Sequence, residues 1–288
     1  MRPLSGRARL AGVMGWPVAH SRSPRLHGFW LEQHGIDGIY VPLPVRPEQL
    51  AQALRALAVL GFKGANLTVP HKEAALGAVD EVTPEARRIG AINTIVVGGD
   101  GTIRGSNSDA FGFRENLVAA LPGWRASEGP AVVLGAGGAA RAIAVALLDD
   151  GVPEIRLVNR TRGRAEALAR ALAGPMRIID WEERGAALAG AALLVNATTL
   201  GMHGQPPLDL DLVRLPPPAA VNDIVYAPLE TPLLAAARRR GNRVVDGLGM
   251  LLHQARPGFA AWFGVEPQVT PALRAHVLAG AWASPNAW

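Results

Sequence analysis

The chain of 288 residues contains no cysteine, so disulfides, thiolate metal sites, iron–sulfur clusters and cysteine nucleophiles are all excluded. It is also poor in charge, at 18% of residues, while 49% are hydrophobic, which is the balance of a folded globular protein and not of a disordered one. No apolar run is long enough to cross a membrane, and the stretch after the N-terminus is broken by Gly12, Gly15 and Pro17, so no secretory leader is expected. A cytoplasmic protein is the resulting expectation. The histidines (His20, His27, His34, His71, His203, His253 and His276) form no HxxxH pair, and no metal site is predicted. Aromatic residues are only 5% and do not alternate with basic ones, so the net charge of +5 does not point to nucleic acid. The run Arg238-Arg239-Arg240 closes a helical segment before Gly241, where cations suit the helix dipole. A modest positive balance instead suits small anionic ligands.

What is abundant is punctuation, with 33 glycines and 23 prolines between short apolar runs. In the first hundred residues, strands are expected at Arg9 to Met14, Ile39 to Pro44 and Lys63 to Leu67, with helices opening at Ser23-Pro24 and Pro47. Two further β-rich stretches, Ala91 to Val97 and Thr102 to Arg104, flank the turn at Gly98 to Gly101. After a linking helix from Ser108 and the breaker-rich segment Pro122 to Pro130, the alternation restarts. Strands are predicted at Ala131 to Leu134, Ile155 to Val158, Leu193 to Asn196, Val221 to Ile224 and Arg243 to Val245. Two closing helices, Leu248 to Ala261 and Thr270 to Ala281, have no strand to follow and are expected to return to the first domain. The fold class is therefore α/β, with an N-terminal α/β domain over 1–107, completed by 246–288, and a Rossmann-like nucleotide-binding domain over 108–245.

The most specific local signal is Val132-Val133-Leu134-Gly135-Ala136-Gly137-Gly138-Ala139-Ala140-Arg141. Gly135 permits a tight turn between strand and helix, and Gly137 lets a pyrophosphate approach the backbone at the helix N-terminus. The spacing is GxGGxA and not GxGxxG, and an ordinary glycine-rich turn has the same appearance. The next strand separates the two readings. NAD-binding units place a carboxylate at its end, whereas this strand ends in Asn159-Arg160-Thr161. An arginine there meets a 2′-phosphate with charge-assisted hydrogen bonds, so the cofactor expected is NADP.

Polar groups also cluster at strand ends in the first half, where open α/β sheets take ligands. They are Ser21 and Ser23, the run Asn66-Leu67-Thr68-Val69-Pro70-His71-Lys72, Asn93, and Asn107-Ser108-Asp109. Each by itself reads as a cap or turn residue, and Ser23 in particular as an N-cap; together they suit a polyhydroxylated ligand.

With these stretches, and with Asn196 to Met202 and Asp246 to Gln254, the chain resembles the shikimate dehydrogenase (shikimate/quinate dehydrogenase) family over almost its whole length. The resemblance implies that Lys72 is the catalytic lysine and Asp109 its partner carboxylate. It implies that Ser21, Ser23, Asn66, Thr68, Asn93, Tyr226 and Gln254 contact the substrate. For the cofactor it implies Gly135, Ala136, Gly137, Gly138, Ala139, Asn159, Arg160, Thr161, Arg164 and Thr198, with Gly249 and Met250 beside the nicotinamide. The implied reaction is the reversible, NADP-dependent reduction of 3-dehydroshikimate to shikimate, by a monomer or homodimer with a small-molecule substrate as its only partner class. The family pattern is departed from at Ser108, where threonine is usual, at Leu248, where glycine is common, and at Thr199, where serine is common. A quinate or quinate/shikimate dehydrogenase using NAD is the sister reading. A non-catalytic NADP(H) or cyclic-acid sensor is the alternative of another class, and a glutamyl-tRNA reductase-like enzyme is excluded by the missing cysteine.

Overall fold

The computed structural model describes residues 3–279 and divides the chain into two compact units, Met1–Ser108 with Leu251–Trp288, and Asp109–Met250. The first unit starts with β1 (Arg9–Gly15), α1 (Ser23–Gln33), β2 (Gly38–Pro44), α2 (Leu50–Val59) and β3 (Phe62–Leu67). It continues through α3 (His71–Ala74), β4 (Glu81–Val82), α4 (Pro84–Ile89), β5 (Thr94–Val97) and β6 (Ile103–Ser106). The six strands form one sheet in the order β2-β1-β3-β5-β6-β4. Pairing is parallel around β1 and in β4–β6, but antiparallel in β3–β5 and β5–β6. The antiparallel β5–β6 pairing follows from the turn at Gly98 to Gly101, because strands joined by so short a connection cannot lie parallel. It has a consequence for the site: the start of β5 lies at the same sheet edge as the ends of β1, β3 and β6. Leu54, Leu57, Ala65, Ile92, Ile95 and Ile103 are fully or almost fully buried in the core on one side of this sheet.

The second unit opens with α5 (Asp109–Ala120) and then alternates strictly: β7 (Ala131–Leu134), α6 (Gly138–Asp149), β8 (Ile155–Val158), α7 (Arg162–Leu172) and β9 (Met176–Ile179). There follow β10 (Leu193–Asn196), β11 (Ala220–Asp223), α8 (Pro232–Arg239) and β12 (Arg243–Val245). All pairings are parallel, in the order β12-β11-β10-β7-β8-β9. This is the doubly wound arrangement, and chain direction across the sheet reverses between β7 and β10, where such sheets bind ligands. The central strands β7 and β10 are short, mostly apolar runs buried on both faces, as parallel sheets require, while the edge strands β9 and β12 are partly exposed. Thr231 caps α8 by accepting from the Leu234 amide.

Helix α9 (Leu248–Phe263) begins in the second unit and belongs to the first from Leu251 onward; α10 (Pro271–Leu278) follows it there. The expected helix to Ala281 extends past the described residues. Trp262 of α9 donates its indole N–H to the Ile95 carbonyl at 2.8 Å. Arg22 caps the end of α10 through the carbonyls of Val277 and Leu278, and Arg25 donates to His276 O at 2.8 Å. The closing helices are thus pinned to the strand and loop that carry the polar residues of the first unit. No helix among the described residues is long and apolar enough to cross a membrane.

Candidate active site

In the first unit the polar residues converge because register places them in one row. Val13 of β1 pairs with Asn66 of β3, Asn66 with Thr94 of β5, and Thr94 with Ser106 of β6. Buried Asn93, one residue before β5, is the hub. Its Nδ2 donates to Gln254 Oε1 at 3.2 Å and to Ser108 Oγ at 3.1 Å. Its Oδ1 accepts from the Ser108 amide at 2.9 Å and from the Thr94 hydroxyl at 2.8 Å. Ser108 Oγ also lies 2.8 Å from the Gln254 carbonyl, so the loop after β6 is fastened to α9.

Asn66 is engaged as fully. Tyr40 donates its buried hydroxyl to Asn66 Oδ1 at 2.7 Å, while Asn66 Nδ2 reaches Asn93 O at 3.1 Å and Thr94 Oγ1 at 3.3 Å. Both amide hydrogens of Asn66 are therefore used inside the protein. Behind Tyr40, the His27 ring stacks at 3.9 Å between centroids, fully buried. Burial pushes its pKa down to about 3, against a small opposing effect of Asn66, so this ring is neutral.

Lys72 lies half-buried on α3, and its carbonyl accepts from the Ile92 amide at 2.7 Å, so the lysine is anchored one residue from Asn93. His71 beside it faces the Val45 carbonyl at 2.8 Å through Nε2, and burial lowers its pKa. Thr68 packs its methyl so closely on Gly15 that a Cβ there would overlap it. Ser23 is buried at the first position of α1, and Arg22, not Ser23, takes the N-cap position, so the capping explanation for this serine does not hold. The Ser23 amide accepts no such role either; it donates to Ser21 Oγ at 3.3 Å. Asp109, buried, opens α5 directly after Ser108.

The second unit has its own constellation at the β7/β10 reversal. Gly135, at φ +111°, follows β7, and a Cβ there would stand 2.9 Å from the Ala197 carbonyl oxygen. Ala136 is buried; Gly137 has open space where a Cβ would lie and begins α6 without any side-chain cap. The first turn of α6, with Gly138 and Ala139, carries no acid, so its amides suit a pyrophosphate. At the end of β8, Asn159 bonds the Thr161 carbonyl at 2.8 Å, fixing the turn that presents Arg160 and Thr161. Arg160 is exposed and makes no ion pair or side-chain hydrogen bond among the described residues, whereas Arg162 is taken up by Glu166 at 2.9 Å and Asp180 at 2.5 Å. Arg164, exposed, is one turn further on. This set fits a dinucleotide with an extra phosphate.

Thr198 sits in the loop after β10, its hydroxyl 2.7 Å from Asn196 Oδ1. Tyr226 follows β11, half-buried. Gly249 and Met250 are buried at the start of α9. Asn116 of α5 donates to the Asp246 carbonyl at 2.8 Å and lies so close to Gly249 that no side chain fits there. Sequence reasoning singled out neither Tyr40, Thr94, Asn116 nor Asp223. Asp223 and Asn196 stood inside stretches quoted for other residues.

Residues 13–95 match the family model for the shikimate dehydrogenase substrate binding domain, and residues 120–202 that for shikimate / quinate 5-dehydrogenase. A shikimate dehydrogenase (NADP(+)) of Paramagnetospirillum magneticum is 65% identical over 275 residues, covering 96% of this chain and all of the relative. The crystal structure of the Thermus thermophilus enzyme with NADP(H) and shikimate superposes with a TM-score of 0.83 at 40% identity, covering 94% of this chain and 98% of that one. A quinate dehydrogenase of Corynebacterium glutamicum in complex with NAD gives 0.86 at 33% identity, covering 94% and 99%. A polar row at one sheet edge, a glycine turn at a parallel-sheet reversal and identity at this level over nearly the whole length have one explanation: the chain belongs to the shikimate dehydrogenase family.

Proposed function

We propose that this protein catalyses the reversible reduction of 3-dehydroshikimate to shikimate with NADP(H), in the cytoplasm. The observation that carries the cofactor choice is the exposed, unengaged Arg160 at the end of β8, in the position where an NAD enzyme would hold an acid. The close relative named for NADP supports the same choice. NADPH, when bound, supplies the hydride. The remaining work falls to side chains. Lys72 stabilises the developing alkoxide and delivers a proton to it from Nζ, and Asp109 is the partner carboxylate of the family pattern. Ser21, Ser23, Thr68, Asn93, Gln254 and Tyr226 orient the acid and its hydroxyls. Asn66, both of whose amide hydrogens are engaged, contributes by holding Asn93 and Thr94 in place. Gly135 to Ala139 and Thr198 seat the pyrophosphate, Arg160 with Asn159, Thr161 and Arg164 the adenosine phosphate, and Gly249 and Met250 the nicotinamide end.

The test is a four-way comparison of kcat/KM for shikimate and quinate with NADP and NAD, followed at the absorbance of the reduced nicotinamide. Shikimate with NADP is expected to exceed the other three pairs. Quinate with NAD equal or better would reassign the chain to the sister activity, and binding without turnover would make it a sensor.

A further inference from the structure

The β10–β11 edge of the second unit holds a buried carboxylate that the proposed chemistry does not use. Asp223, the last residue of β11, has no exposed surface. Its Oδ1 accepts from Asn196 Nδ2 at 3.0 Å and from the Val225 amide at 3.0 Å, and its Oδ2 from the Thr231 hydroxyl at 2.7 Å. Every partner is neutral. Burial pushes the carboxyl up to about 6, against these three hydrogen bonds. An apolar residue would fill such a position at lower cost, so a carboxylate there calls for a reason other than stability.

The reason lies in what a carboxylate does to an amide. It only accepts, so Asn196 must turn its Nδ2 toward it. That leaves Asn196 Oδ1 facing the next loop, where it accepts from the Thr198 amide at 3.1 Å and the Thr198 hydroxyl at 2.7 Å. The second Nδ2 hydrogen reaches Leu200 O at 3.1 Å, and Thr198 Oγ1 accepts from the Leu200 amide at 3.1 Å. The whole 197–200 loop hangs on the Asn196 amide, and its Ala197 carbonyl is the group that Gly135 must clear. The bond to Val225 fixes, by the same carboxylate oxygen, the residue before Tyr226.

We propose that Asp223 is a positioning residue for the cofactor: by dictating the orientation of the Asn196 amide it holds the Thr198 loop against the glycine turn. This rests on the reading of the second unit as the NADP site.

The test uses the full chain with Asp223→Ala, Asp223→Asn and Asn196→Ala. NADPH affinity is read by fluorescence titration, and hydrogen exchange of the 197–201 segment is read in the protein without nucleotide. For Asp223→Ala the NADPH Kd is expected to rise about tenfold, the loss that follows from releasing the Asn196 amide, the one of the three donors left without Asp223 that carries the Thr198 loop. Exchange of the segment should quicken, and KM for shikimate should stay within about twofold of wild type. Asp223→Asn keeps an oxygen for Asn196 and Val225 and should remain within about threefold of wild type. Asn196→Ala should reproduce the alanine effect, and it decides the matter if Asp223→Ala does not fold. Unchanged NADPH affinity and exchange in the folded alanine variants would overturn the proposal. So would an equal rise in both substrates' KM with no rescue by asparagine, which marks a merely structural carboxylate. Absence of NADPH binding and turnover in the wild type would instead defeat the functional reading itself.

Discussion

Replacing Asp223 by asparagine alters shape very little and removes one titration, which makes its effect on stability calculable. The carboxyl sits at about 6 in the folded chain against 3.8 when free, with burial as the main cause. The folded value is the higher one, so the native chain binds more protons than the unfolded chain between about pH 4 and pH 6. Stability from this group therefore increases as pH falls through that window and is lost as pH rises through about 6. At about 1.4 kcal/mol per pKa unit, ionising Asp223 in place costs the fold about 3 kcal/mol once the pH is well above both values. At about pH 5, where the folded carboxyl is mostly protonated, roughly half of that cost remains.

Asparagine has no such dependence. The difference in stability between Asp223→Asn and the wild type should consequently shift by about 1.4 kcal/mol in favour of the variant between about pH 5 and pH 7.5. The constant part of the difference contains altered hydrogen bonds, but the pH-dependent part contains only this titration, because every other ionisable group cancels. The slowest-exchanging amides of β10 and β11 report the opening free energy of this unit without requiring the two units to unfold together. A difference that is flat with pH would show that the carboxyl is not held up by burial, and the reasoning would fail at its first step.

Lys72→Ala should lower kcat by about 10²- to 10⁴-fold while shikimate KM changes little, measured by steady-state kinetics; an unchanged kcat removes Lys72 from the chemistry. Gly135→Ala forces a side chain into φ +111° and against the Ala197 carbonyl, so the second unit should lose about 1–3 kcal/mol from backbone strain alone, with a lower Tm and a raised KM for NADP. A variant with wild-type Tm would show that the turn tolerates a Cβ. Arg160→Ala should raise KM for NADP by about 10- to 100-fold through loss of a charge-assisted contact, and leave KM for NAD nearly unchanged; equal effects on the two cofactors would contradict a role at the 2′-phosphate.

How much of this molecule can be read from its sequence depends on how local each signal is. β7 and β10 are legible to the residue because a parallel strand buried on both faces is a nearly uninterrupted apolar run with polar or glycine neighbours. β4 escapes notice because two residues carry no period, and β9 because it is a half-exposed edge after Gly174-Pro175. Helices α3 and α4 are too short for a 3.6-residue pattern to declare itself. The same distinction runs through the site. Lys72, on the short α3, and Asn93 and Arg160, in loops, all stand close to a strand end that their neighbours in sequence already announce. Tyr40 does not, since its partner Asn66 is 26 positions away.

Asp223 is the sharpest case, because its meaning resides entirely in register. Asn196 and Asp223 are direct partners across β10 and β11. A slip of one residue would set Asn196 opposite Asn222 or Ile224 and turn the carboxylate to the other face of the sheet, away from the Thr198 loop. Register here is fixed by burying Leu194 and Val221 on one face, so apolar residues with no chemistry of their own determine where the carboxylate acts. Pattern reading finds such residues easily, but which two strands they bring side by side, and in what alignment, becomes visible only when the sheet is assembled.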